Sequence, residues 1–133
     1  RPQLLQLARH SPLEIDRHCG NVYIILNQHQ PQPALLHGDL WSGNISFCHS
    51  SAAVYDPAVY IGDRETDLAM TQLFGNFPKA FYKGYNQHYP IDESYPQRRP
   101  VYQLYHLLNH ANLFGNSYFQ QVEHCLTTID RNT

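Results

Sequence analysis

The chain has 133 residues, 42% of them hydrophobic and 15% charged, with a formal net charge of −2. That length suits one compact domain, read here as residues 1–133, and the balance gives no reason to expect nucleic acid or an anionic membrane as partner. No apolar run approaches the ~18 residues of a membrane span.

In chain order, "QLLQLAR" reads as a short helix or the end of one. "SPLE" reads as a helix start, with Ser11 as cap, Pro12 in the first position and Glu14 completing a capping box. This helix is expected to reach about Gln28, with Leu13, Val22, Ile25 and Leu26 inward and Gly20 as its weak point. Pro31 and Pro33 make "HQPQP" a loop. "ALLHGD" is an apolar run entering a loop, and "ISFC" and "AAVY" are strands around His49-Ser50-Ser51. "TDLAMTQLF" and "PKAFYKGYNQ" are helices, and "HYPIDESYPQRRP" is a connecting loop. "PVYQLYHLLNHANLF" puts Val101, Leu104, Tyr105, Leu108 and Leu113 on one side, and "NSYFQQVEHCLTTI" closes the chain as a last helix. The expected fold class is mainly α with a small central β-hairpin, an α+β arrangement.

Cys19, Cys48 and Cys125 are odd in number and lack C-x-x-C spacing. Free thiols in a reducing cytoplasm fit better than disulfides or a zinc site. No signal-like segment stands at the start, and the opening Arg1-Pro2 suggests that an upstream portion belongs to the protein.

The chemistry concentrates in "LLHGDLWSGN" and in the hairpin just after it. If the hairpin turn centres on Ser50, residues whose numbers sum to 100 lie opposite, which pairs Asn44 with Asp56. The loop before Asn44 carries Asp39 to the same end. An Asp on a loop, an Asn five residues on and an Asp after a hairpin are what phosphoryl transfer requires. One carboxylate orients the attacking hydroxyl, while Asn and the second Asp hold a magnesium ion on the phosphates. The pattern parallels the kinase loop H-R-D-x-x-x-x-N, with Gly38 in place of Arg.

"HGDLWSGN", with "YDPAVYIGDRETDLAM", "FYKGYNQ" and "RRPVYQLYHLLNHANLFG", resembles the fructosamine (ketosamine) kinase family over about Gln30 to Gly115. That family belongs with the aminoglycoside and choline phosphotransferases and has a protein-kinase-like fold. The resemblance implies an ATP- and Mg²⁺-dependent kinase acting on a sugar hydroxyl of ketosamine or glycated-amine adducts, as in protein deglycation. It makes Asp39 the catalytic base, Asn44 and Asp56 metal ligands, and His37 a brace of the loop. Asp63 would hydrogen-bond the loop backbone and cap the next helix, and Trp41 would face the substrate.

The family's amino-terminal lobe has no counterpart in these residues. Arg17, Arg64, Lys79 and Lys83 do not sit on a strand pattern that could supply its phosphate-binding Lys. The chain therefore reads as the carboxy-terminal lobe of such a kinase, inactive alone. The alternatives are an aminoglycoside- or choline-type phosphotransferase, for which acidic residues near the motif are sparse, and a catalytically silent kinase-like interaction domain.

Blander roles compete at single positions. Asp63 can be an ordinary helix cap, Asp67 a first-turn carboxylate favoured by the helix dipole, and Trp41 a core residue. His106 and His110 have i, i+4 spacing but lack the Glu of a zinc protease motif.

Overall fold

The computed structural model describes residues 14–133. They form two compact units, one of residues 31–95 and one of the described residues up to 30 together with 96–133. The fold class is as expected, mostly helical with small antiparallel sheets. The expected "QLLQLAR" helix and the start at Ser11-Pro12, with Leu13, lie outside the described residues.

In residues 31–95, β1 (Pro33–Leu36) pairs antiparallel with β4 (Tyr60–Asp63), Pro33 facing Asp63 and Leu36 facing Tyr60. Between them in sequence, β2 (Ile45–Cys48) and β3 (Ser51–Val54) form the hairpin. Two short helices come next, α2 (Glu65–Met70) and α3 (Lys79–His88). Leu36, Leu68, Ala69, Met70 and Phe77 are buried. The Phe77 ring meets Phe47 of β2 and Phe81 of α3 edge-on.

Three local expectations change here. The hairpin turn has two residues, His49-Ser50, with Ser51 already in β3 opposite Cys48. His49 takes a φ of 32°, the left-handed conformation that tight two-residue turns require. The register is therefore one residue off, and Ile45 faces Val54. The β1–β4 sheet was not expected, because four-residue strands so far apart leave no local alternation to read. The helix from "TDLAMTQLF" stops at Met70, where Gln72 and Leu73 donate back only three residues, to Ala69 and Met70.

The other unit is helical: α1 (Ile15–Asn27), α4 (Tyr95–Phe114), a 3-10 turn at Asn116–Tyr118, and α5 (Phe119–Arg131). α4 starts at Tyr95 and takes in five residues expected as loop. Pro96 stands in its first turn, where a missing N–H costs nothing, and Pro100 lies inside the helix. Val101, Leu104, Leu107, Leu108 and Ala111 of α4 are buried, as are Val122, Cys125, Leu126 and Ile129 of α5. Tyr105 and Leu113, expected on the inward face, are 56% and 75% exposed. At about 100° per residue Tyr105 falls about a quarter of a turn, and Leu113 about half a turn, from the centre of the stripe that the other five define. In α1, Ile25 is buried as expected, while Val22 and Leu26 are only half-buried.

A polar seam ties α1 to α5. Arg17 (2.6 Å), Asn21 (2.8 Å) and the ring of His18 (3.1 Å) all reach the Asp130 carboxylate, and Glu14 pairs with Arg17. Burial pushes the Asp130 pKa up, but hydrogen bonds from Asn21, His18 and Arg17 outweigh it and hold the carboxyl below its ordinary value. The three cysteines are free. Burial pushes the Cys125 thiol up to about 12, and its Sγ donates to the Pro100 carbonyl at 3.0 Å. His110 Nδ1 bonds the His106 carbonyl at 2.8 Å, which uses one nitrogen of that pair in the helix itself.

Candidate active site

β1 ends at Leu36 and delivers the chain directly into the His37–Asn44 loop. Gly38 has a φ of 81°, and a Cβ there would stand 2.0 Å from the Ala58 carbonyl oxygen. Conformation and space both demand glycine where the kinase loop has Arg. The first two backbone N–H groups of the loop point at one carboxylate. Asp67 Oδ2 accepts from His37 at 2.7 Å and Oδ1 from Gly38 at 2.9 Å.

His37 joins this loop to the segment that carries Asp56. Its carbonyl accepts from Ala58 N–H at 2.8 Å, and its ring Nε2 lies 3.0 Å from the Tyr55 carbonyl. Nδ1 accepts from Asp39 N–H at 3.3 Å. A neutral ring with its proton on Nε2 satisfies both ring contacts at once. The residues flanking Asp56 are thus gripped on both sides by a single histidine.

Asn44 is buried, at 7% exposure, and its amide is aimed back at Asp39. Nδ2 donates to the Asp39 carbonyl at 2.9 Å and to its carboxylate Oδ2 at 3.0 Å. The two positions first singled out by spacing are therefore in direct contact. Both donor hydrogens are used inward, so Oδ1 is the atom Asn44 offers to a cation.

Asp56 is not opposite Asn44. The one-residue shift of register puts Tyr55 there, donating its N–H to the Asn44 carbonyl at 3.1 Å, and Asp56 comes next with a φ of 52°. Asp tolerates this left-handed conformation better than most residues.

The brace expected from Asp63 comes from Asp67. Asp63 Oδ1 accepts from Glu65 N–H at 3.0 Å and so caps the start of α2. Side chains in a helix lean towards its N-terminus, so a first-turn carboxylate such as Asp67 reaches past the helix start to the loop. That tilt was the available sign in "GDRETDLAM".

Trp41 is 36% exposed and meets Phe74 edge-on, ring centres 6.3 Å apart at 86°. Beside this loop runs a groove of about 530 Å³ whose lining includes Leu36, Leu40, Arg64, Asp67, Phe81 and Tyr89. Arg64 lies 3.8 Å over the Tyr89 ring and donates to the Tyr85 hydroxyl at 3.0 Å and the Pro90 carbonyl at 2.6 Å. No sequence pattern marked Arg64 for this structural part.

Chemically, the arrangement offers one carboxylate held by an amide, a carbonyl oxygen beside it, and a second carboxylate on a segment tied to the same loop. These are hard oxygen donors of the kind that suits magnesium rather than zinc or copper.

Comparisons with known proteins place the chain in one family. The family model described as Fructosamine kinase matches residues 3–132. A Vibrio parahaemolyticus protein named "Probable ketoamine kinase" is 44% identical over 127 residues, covering 96% of this chain and 44% of that protein. One of the same name from Synechocystis is 54% identical over 103 residues, or 77% of this chain and 35% of the relative. Among crystal structures, a "Putative fructosamine-3-kinase" from Haemophilus somnus aligns with a TM-score of 0.83 at 36% identity. The match covers 96% of this chain and 45% of that one. A second, from Thermobifida fusca, gives 0.79 at 35% identity, with 98% and 47% covered. The chain spans less than half the length of these relatives.

Proposed function

The chain belongs to the fructosamine kinase family, and from that premise we propose that it is the substrate-side, carboxy-terminal lobe of an ATP-dependent ketosamine kinase. Asp39 is the base. It accepts the proton of a sugar hydroxyl as that oxygen bonds the γ-phosphorus, while the β,γ-bridging bond breaks and its electron pair leaves on ADP. Asn44 Oδ1 and the Asp56 carboxylate are the ligands for Mg²⁺, which when bound neutralises the phosphates. His37 and Asp67 hold the loop, Asp63 caps α2, and Trp41 faces the acceptor.

One observation carries this reading: the Asn44 amide bonds both the carbonyl and the carboxylate of Asp39. A base that must meet a hydroxyl at hydrogen-bond distance needs a fixed carboxylate, and positioning supplies most of the catalysis in phosphoryl transfer. In this reading the groups that grip the nucleotide lie outside residues 1–133, which alone do not turn over. Free cysteines fit a cytoplasmic setting, and no described helix is long and apolar enough to cross a membrane.

The test uses the full-length protein with Mg-ATP and a panel of ketosamines, aminoglycosides and choline, read by phosphorus NMR. A new phosphomonoester on ketosamines alone is the expected result. Phosphorylation of an aminoglycoside or choline, with ketosamines untouched, would overturn it.

A further inference from the structure

Trp41 is the only tryptophan of the chain, and restraints converge on it. Its N–H donates to the Asp39 carbonyl at 3.1 Å and its carbonyl accepts from Asn44 N–H at 3.0 Å. The backbone is thus pinned between the proposed base and the proposed metal ligand. The ring lies against Gly43, where a Cβ would come within 2.2 Å of it.

The remaining restraints come from one residue, Phe74. Its ring meets the indole edge-on, and its carbonyl accepts the Ser42 hydroxyl at 2.8 Å. Gly75, with a φ of 97°, turns the chain immediately afterwards. Trp41 and its neighbour are thereby fastened to residue 74 twice, once through a ring and once through a hydroxyl. Burial stabilises the covered part of the residue, but 36% of it stays exposed. Restraint of an exposed ring serves what lies outside it.

We propose that Phe74 and Ser42 are positioning residues, which hold the Trp41 ring at a fixed angle as the wall of the acceptor subsite. The ligand class is a sugar carrying an apolar C–H face, which packs flat on an aromatic ring while its hydroxyl meets Asp39. This inference rests on the kinase reading above for the identity of the acceptor. The restraint of the ring stands on geometry alone.

The experiment uses the full-length protein with Phe74→Leu, Phe74→Tyr and Ser42→Ala. Two quantities are read: KM for ketosamine against KM for Mg-ATP, and acrylamide quenching of Trp41 in a background whose other tryptophans are Phe. Leu fills space without offering a ring edge, whereas Tyr keeps the edge. Phe74→Leu is expected to raise the ketosamine KM about fivefold, the value of an edge-on ring pair, with the Mg-ATP KM unmoved and quenching faster. Phe74→Tyr should restore both, and Ser42→Ala, on an exposed residue, should show the same split more weakly.

A residue that only fills the interior would give Leu and Tyr variants of equal ketosamine KM and equal quenching, and that result overturns the proposal. Should Phe74→Leu fail to fold, an unchanged ketosamine KM in Ser42→Ala overturns it equally. An unaltered enzyme that phosphorylates no ketosamine refutes the kinase reading and the acceptor half of this inference. The quenching contrast still decides whether Phe74 restrains the ring.

Discussion

In the helical unit, α4 and α5 bury nine apolar side chains between them, from Val101 to Ile129, and the polar seam at Asp130 is an addition at the edge. In residues 31–95 the loop that bears Asp39 is half-buried from His37 to Leu40 and exposed from Trp41 to Gly43, and Asn44 is its one buried residue. It is fixed by Asp67 on two N–H groups, by His37 on the Tyr55 and Asp39 backbone, and by Asn44 on Asp39. Apolar burial is non-directional and holds helices together; it cannot aim a carboxylate. Hydrogen bonds have the angular preference that aiming needs. Polar changes in the loop should therefore cost turnover, and apolar changes in the helical unit should cost stability.

The largest effect expected is on turnover. Asp39→Asn in the full-length protein keeps size and hydrogen bonding but removes the proposed base, so kcat should fall by ~10² to 10⁴-fold in steady-state kinetics. Its melting temperature should change little. Next comes the opposite case. Ile129 is fully buried in α5, and Ile129→Ala should cost about 2–5 kcal/mol in denaturant unfolding. The KM values should stay in place. An equal loss of affinity and stability there would break the division between the two regions.

Gly38→Ala tests both terms at one site. The left-handed φ and the Ala58 carbonyl at 2.0 Å oppose any Cβ, and such strain is worth about 1–3 kcal/mol. Since the strain falls on the loop, thermal melts should show a modest loss and kinetics a severe one.

The smallest effect is expected at the seam. A carboxyl whose pKa is lowered by folding contributes stability above its unfolded value of about 3.9, and loses it as pH falls through the folded value. Asp130→Asn should thus lower stability at neutral pH by about 1 kcal/mol for a partly exposed pair network, read as a lower melting temperature. The difference from the unaltered protein should close in acid. A gap that does not narrow as the pH falls below the unfolded value would remove the ionic account of the seam.

Much of the site could be read from the sequence because its parts are close in the chain: Asp39, Asn44 and Asp56 span one loop and one hairpin. What could not be read depends on geometry that spacing does not encode. Whether the hairpin turn takes two residues or three hinges on His49 adopting a positive φ, and that choice moved Asp56 one place from its expected partner. Asp63 and Asp67 are the same residue type four positions apart, so only the lean of a helical side chain separates cap from brace. The β1–β4 sheet and the Trp41–Phe74 contact join residues about thirty apart, where periodicity carries no signal. In the helices the pattern did better. Val101, Leu104 and Leu108 of the buried α4 stripe were foreseen, Leu107 and Ala111 were not, and Tyr105 and Leu113 failed because apolar character was counted without its angle.

The central claim is that Asp39 and Asp56 have separate tasks, one on the hydroxyl and one on the metal. Calorimetric titration of Mg-ATP into full-length Asp39→Asn and Asp56→Ala proteins tests it most directly. Near-normal binding is expected for Asp39→Asn and loss of metal-dependent binding for Asp56→Ala, which lacks a proposed metal ligand. Equal weakening in both variants, or undiminished Mg-ATP binding by Asp56→Ala, would contradict it.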